Sequence, residues 1–424
     1  MKITQITAHL GAGAGKAIVG LCCMLKEQYP DVEIIILVAE KPEKMQAIKK
    51  AVENEIVIKI QPSDNEMIDI CNKSDLIVIN WWAHPLMYAV LNKLNGIEGR
   101  FILWNHFNGC VYPKLDAELC KAFSHVLFTC QYSYENDQWN EQQREWIQKH
   151  SDIVYGLGDF LPSHWRYRQE YENTNVCKVG YLGTIDYNKI NNGWLKACEE
   201  IHTLRPNTKF VLYGDLSKQI KSEIVNSKIA SYIEYCGYAE NVEEAYLEMD
   251  ILGYPLNAIT SGTTENVLLE AMATGLPCVV LNQATERNII KNNKTGICAD
   301  DMAQYVEKIV ELIDKKEERK IIGEGGRADV IQNYDGRKNA YHFFEIAKEL
   351  KKKPKERFEI KKMIGDRPSS YFLNCFPKKI KEEWKDEVIK MVLDGKSKSS
   401  LKQFQRVFSN DEELSKLELS LRGI

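Results

Sequence analysis

No stretch of about eighteen uncharged apolar residues occurs in the sequence, so a membrane-crossing helix is not expected. The opening MKITQITAHLGAGAG lacks the basic segment and unbroken apolar core of a leader peptide, and reads instead as a strand entering a glycine loop. The 12 cysteines form no CxxC pair and no Cys/His cluster at zinc spacing, which excludes a zinc ribbon. They suit small buried side chains in a reducing, cytoplasmic compartment. Charge of one sign is not in excess either. A net charge of −4 gives no global attraction for nucleic acid, so any basic patch must be local.

What is present is strand–helix alternation. Near-continuous apolar runs such as Ile34–Val38 suit parallel strands covered on both faces, and Ala17–Lys26 has helical spacing. Strands are expected at Lys2–Ala8, Glu33–Val38, Glu55–Ile60, Leu76–Trp81, Phe101–Trp104, His125–Thr129 and Ile153–Tyr155. A polar stretch, Arg166–Thr174, reads as a linker. The alternation then restarts at Lys178–Leu182, Lys209–Tyr213, Ile233–Cys236, Ile251–Tyr254 and Pro277–Leu281. With 424 residues, the chain suits two doubly wound α/β domains, residues 1–170 and 176–326. Helical patterns follow over 327–350 and 351–424. In the second, Trp384, Val388, Met391 and Val392 share a face, as do Leu401, Phe404, Val407 and Phe408.

The most informative segment is Gly262–Leu281, GTTENVLLEAMATGLPCVVL. A polar loop, Gly262-Thr263-Thr264, opens a helix that Gly275 closes. Unpaired N–H groups and the positive dipole end of a helix can seat a diphosphate, and the Thr263 and Thr264 hydroxyls lie at the same place. Glu270, among Leu268, Leu269, Ala271 and Met272, is a carboxylate on an apolar helix. Its two oxygens can accept both hydroxyls of a vicinal diol such as a ribose. A helix glutamate paired with a surface basic residue reads equally well from the pattern alone.

ENVLLEAMATGLPCVVLNQATERNIIKNNKTGI resembles the donor-site signature of retaining glycosyltransferases of family four, which adopt the GT-B fold. VGYLGTIDYNK (179–189), VLYGD (211–215) and GYAENVEEAYLEMDILGYP (237–255) resemble further stretches of that family in the same order. The resemblance covers most of residues 176–350. It implies two Rossmann-like domains facing a cleft: an acceptor-side domain over 1–170 and a donor-side domain over 176–326. It further implies a closing helix over 327–350 that crosses back, with 351–424 as a helical extension. It assigns donor binding to Glu270, Lys189 and Thr184, and to Gly262, Thr263, Thr264 and Glu265.

Gly11–Lys16 follows the first strand, where the family has a glycine loop near the diphosphate, so Gly13, Gly15 and Lys16 join the donor set. The residues themselves read equally well as a tight turn. They fit neither a Walker A loop, since Leu10 stands at the first glycine and Ala17 follows the lysine, nor a dinucleotide fingerprint. His106, ending the strand in ILWNHFNG, falls at the family's position near the transferred sugar or acceptor and is the catalytic candidate. His84, beside Trp81, Trp82 and Pro85, reads as structural.

Two departures stand out. The family's first glutamate falls at Gly262, with Glu265 a substitute or merely a charge on the helix dipole. Its arginine falls at Thr184, which leaves Lys189, helped by Lys16, to compensate the diphosphate; Lys189 also reads as a solvated loop lysine. The expected activity is sugar transfer with retention from a donor such as a UDP- or GDP-sugar, with no metal, no DxD motif and no cofactor. The acceptor is a glycan, a lipid-linked molecule or a protein. The departures keep a second reading open, a non-catalytic GT-B nucleotide-binding partner protein. Basic residues 351–355, with Phe358, Met363, Tyr371, Phe372 and Phe376, raise peripheral membrane contact through 351–380; a solvated linker is the alternative.

Overall fold

Apolar runs of the kind just described become the inner strands of two parallel sheets. The computed structural model describes residues 1–42, 45–168, 176–380, 382–395 and 397–423. They divide into two units. The first holds 1–159, 261–264 and 336–424, and the second holds 160–260 and 265–335.

The first unit contains β1 (Lys2–Thr7), β2 (Glu33–Val38), β3 (Val57–Ile60), β4 (Leu76–Trp81), β5 (Glu98–Gly99), β6 (Phe101–Asn105), β7 (His125–Phe128) and β8 (Ser151–Ile153). Seven of these form a sheet ordered β3-β2-β1-β4-β6-β7-β8. Every residue of β4 and β6 is buried, as central strands covered on both faces require. Strand order reverses between β1 and β4. Open α/β sheets bind ligands beyond the carboxyl ends of the strands at such a point. The last strand ends at Ile153 rather than Tyr155, because the Tyr155 backbone N–H and C=O both bond to the Asn339 side chain.

In the second unit β9 (Cys177–Leu182), β10 (Thr208–Tyr213), β11 (Ile233–Gly237), β12 (Ile251–Tyr254), β13 (Cys278–Leu281) and β14 (Ile297–Ala299) form a parallel sheet ordered β11-β10-β9-β12-β13-β14. Its reversal point lies between β9 and β12. The short run of β14 was not among the expected strands. The linker expected over Arg166–Thr174 lies, from residue 169, outside the described residues. The helix Lys316–Asn333 continues past residue 326, and the first unit resumes at Gly336.

The helix Gly336–Lys352 packs on the helix Ala12–Gln28 within the first unit. Tyr29 stacks on Phe344 with ring centroids 3.6 Å apart, and Arg337 pairs with Glu27 at 2.8 Å. The remaining C-terminal residues complete the same core. A two-residue strand β15 (Glu356–Arg357) pairs antiparallel with β5. Phe358 stacks on Phe101 at 4.1 Å and Tyr371 on Tyr88 at 5.0 Å, while Phe372, Val388, Leu401, Phe404 and Leu414 are buried around them. Three of the aromatic side chains considered for a membrane face, Phe358, Tyr371 and Phe372, are therefore interior residues of the first unit.

The glycine run after β1 is also not the loop it was expected to be. Gly13, Gly15 and Lys16 lie in the first turns of the helix Ala12–Gln28. Gly15 is needed for close approach: a Cβ there would stand 2.3 Å from the Leu10 carbonyl oxygen.

Candidate functional site

In the second unit, the helix Asn266–Ala273 buries Leu268, Leu269, Ala271, Met272 and Ala273 completely. Glu270 lies among them at 6% exposure. A carboxylate so placed needs hydrogen-bond donors. Tyr246, on the helix Val242–Leu247, donates its hydroxyl to Glu270 Oε2 at 3.2 Å. Burial and the adjacent Glu270 push the Tyr246 phenol well above its ordinary value, so it stays a donor. Gly275, at φ +77°, ends the helix in the left-handed conformation that suits glycine, as the sequence led us to expect.

Just before this helix stands Glu265, in a left-handed conformation (φ 41°, ψ 63°) that is unfavourable for a residue with a Cβ. Its side chain, 6% exposed, accepts from the Tyr254 hydroxyl at 3.1 Å and lies 3.6 Å from Lys189 Nζ. The Lys189 ammonium also sits 5.5 Å from the Tyr254 ring centroid. Tyr254 ends β12 and stacks on Tyr181 of β9 at 5.3 Å. Lys189, Tyr254 and Glu265 thus gather where strand order reverses, a ligand-binding position by topology. Thr184 is exposed in the loop after β9, its carbonyl accepting from the Tyr181 hydroxyl at 3.0 Å.

The loop residues Gly262, Thr263 and Thr264 belong to the first unit. The Gly262 carbonyl accepts from Asn108 Nδ2 at 3.0 Å. Thr264 is buried. Its hydroxyl donates to the Thr129 carbonyl at 2.9 Å and accepts from the Gly156 N–H at 3.0 Å. That hydroxyl hydrogen is therefore already used within the protein, whereas Thr263 is half-buried.

His106, also in the first unit, follows β6. The Asn80 amide is fixed by its Nδ2 donating to the Ile6 carbonyl at 3.2 Å, since a carbonyl can only accept. Asn80 Oδ1 then faces His106 Nε2 at 2.9 Å, so Nε2 is the donor and Nδ1 carries the lone pair. Burial lowers the His106 imidazole to about 3, which keeps it neutral. Trp82 lies beside it at 6.0 Å between centroids, with His9 at 5.0 Å from Trp82. His84 caps the helix Pro85–Leu94, its Nδ1 accepting from the Leu86 N–H at 3.2 Å.

Sequence reasoning missed Tyr246, Tyr254 and Glu286. The last had a signal: Glu286 shares helical spacing with Ile289 and Ile290, which marks a carboxyl on a buried face. All three are buried in the structure.

The fold defines the class first: two doubly wound parallel sheets of seven and six strands make a GT-B architecture, with Lys189, Tyr254 and Glu265 gathered at the strand-order reversal of the second. Residues 177–315 match the family Glycosyl transferases group 1, so the second unit carries a domain of that family. Over 120 residues the chain is 28% identical to the alpha-monoglucosyldiacylglycerol synthase of Acholeplasma laidlawii, covering 28% of this chain and spanning 30% of that relative's length. Among solved structures, Anabaena HepE in complex with UDP superposes with a TM-score of 0.64 at 13% identity, over 82% of this chain and 100% of HepE. A glycosyltransferase from Rickettsia africae superposes with a TM-score of 0.63 at 16% identity, over 82% of this chain and 98% of that one.

Proposed function

We propose that the protein is a glycosyltransferase that moves a sugar from a nucleoside-diphosphate sugar to an acceptor hydroxyl with retention of configuration. The observation that carries this reading is Glu270, a buried carboxylate flanked by buried apolar residues inside the segment that matches Glycosyl transferases group 1. Its oxygens would accept the two ribose hydroxyls of the nucleotide, with Tyr246 holding the carboxylate's rotamer. Lys189 would compensate the diphosphate as it leaves and as positive charge grows on the sugar. The N–H groups at the start of the helix Asn266–Ala273 would add to that field without a metal. His106, neutral and with its Nδ1 lone pair available by tautomer, would accept a hydrogen bond from a hydroxyl and orient it; it is too weak a base to remove its proton.

HepE is solved with UDP, and the Acholeplasma relative is named for a glycolipid product, so UDP-sugars and diacylglycerol acceptors are the first to assay. Membrane contact through 351–380 would rest on Lys351–Lys353 and the exposed Met363 and Leu373. The test is nucleotide binding by calorimetry with UDP and GDP. Glu270→Ala is expected to weaken it at least about tenfold, the loss of roughly one charged hydrogen bond. Wild-type affinity in that variant refutes the donor assignment. Slow hydrolysis of a nucleotide-sugar by the wild type separates an enzyme from a pure binding partner.

A further inference from the structure

Glu286 is 1% exposed, and neither of its carboxyl oxygens has a hydrogen-bond partner among the described residues. Buried carboxyls are almost always hydrogen-bonded, and one that is not needs a physical account. It lies beyond the carboxyl end of β13, the strand next to β12 whose last residue, Tyr254, bonds to Glu265, and its charge bears on both Tyr254 and Glu265. The groups whose charge or polarity bears on it are Glu265, from the start of the helix Asn266–Ala273; Lys189, after β9; Tyr254, at the end of β12; and Cys298, in β14.

With both carboxylates ionised, this cluster would hold two negative charges against one ammonium, in a place shielded from water. Burial, and then the Glu265 charge, push the Glu286 carboxyl up to about 8, while Lys189 acts the other way. Glu286 therefore carries its proton at neutral pH. A neutral carboxylic acid is a hydrogen-bond donor, and here neither carboxyl oxygen has a partner among the described residues.

We propose that Glu286 is a further donor-binding residue, a neutral acid whose O–H is kept for a phosphate oxygen of the nucleoside diphosphate that Lys189 attracts. The inference rests on the donor reading above and refines it. A protonated Glu286 can donate to an anionic oxygen, which makes a strong bond. An ionised Glu286 repels the same oxygen. Diphosphate binding is then tied to the proton on this one side chain.

The experiment is calorimetric titration of the full-length protein with UDP and with GDP at pH 7 and pH 9, for wild type and Glu286→Gln. Uridine and guanosine serve as probes that lack phosphate. Between these pH values the protonated fraction of a group titrating near 8 falls about tenfold, so wild-type diphosphate affinity falls by about the same factor. Glu286→Gln cannot ionise, and its affinity changes by less than about twofold over the interval. Nucleoside binding shows no such pH dependence. A thermal melt of Glu286→Gln at each pH verifies that the variant is folded. The inference is overturned if Glu286→Gln keeps the tenfold fall, if the wild type shows none, or if the nucleosides show the same fall. A wild type that binds neither diphosphate at either pH overturns the donor reading as well. Bound diphosphate whose pH profile ignores Glu286 overturns this inference alone.

Discussion

Replacing Tyr246 with Phe removes one hydroxyl from a fully buried ring and leaves its shape in place. The lost atom donates at 3.2 Å to a carboxylate that is itself buried. Hydrogen bonds to a charged partner contribute about 1.5–3 kcal/mol, so Tyr246→Phe is expected to destabilise the second unit by about 2 kcal/mol. In a Glu270→Ala background the same change is expected to cost under about 0.5 kcal/mol. There the Tyr246 hydroxyl has already lost this acceptor, and a buried hydroxyl without a partner is itself unfavourable. Urea unfolding of all four proteins, followed by circular dichroism, gives the coupling between the two side chains. UDP affinity should fall up to about tenfold in Tyr246→Phe, since the carboxylate's rotamer is no longer held. Equal costs in both backgrounds would refute the claim that Tyr246 acts through Glu270.

Three further outcomes are expected. Thr264→Val strips the Thr129 carbonyl and the Gly156 N–H of their shared hydroxyl and should lower stability by about 1–3 kcal/mol in urea unfolding, while Thr264→Ser, which keeps the hydroxyl, loses clearly less. Gly15→Ala puts a methyl group against the Leu10 carbonyl and should destabilise the first unit by about 2 kcal/mol or more, against the roughly 1 kcal/mol gain usual for this change in a helix. For Glu286 the folded pKa is raised above that of the unfolded chain, so its contribution is fully present below the unfolded value of 4.5 and is lost as pH rises towards and through about 8. Relative to Glu286→Gln, the wild type should lose up to about 1.4 kcal/mol per pH unit across that window, and a flat difference in stability would contradict the burial argument.

Inner strands were legible because they must be apolar on both faces: the expected Leu76–Trp81 and Glu33–Val38 are the strands observed. Gly275 was legible for a similar reason, since a helix followed by an apolar strand needs a residue that tolerates positive φ. The Gly11–Lys16 run was misread because its alternating Gly and Ala leave helix and loop close in local free energy, and packing against Leu10 decides. Phe358, Tyr371 and Phe372 have the composition of a membrane face, and only their tertiary partners, among them Phe101 and Tyr88, identify them as core. At the site, Glu270 stood out as a charge in an apolar helix. The hydroxyl of Tyr246 did not, because its contribution depends on a contact between elements distant in sequence.

The C-terminal residues bear on the order in which the protein is made. The strands of the first unit leave the ribosome well before Phe358 and Tyr371, the rings that close over Phe101 and Tyr88. The second unit, drawn from residues 160–335 apart from the four of the Ser261–Thr264 loop, is complete before Phe358 and Tyr371 are made. Domains generally fold as units during synthesis, N-terminal first. Here that order would be inverted: the first unit lacks part of its core until Phe358 and Tyr371 emerge, and the second can finish before it. Premature termination near residue 350 would therefore release a chain whose N-terminal domain, rather than its truncated end, is the part that fails to fold and is cleared.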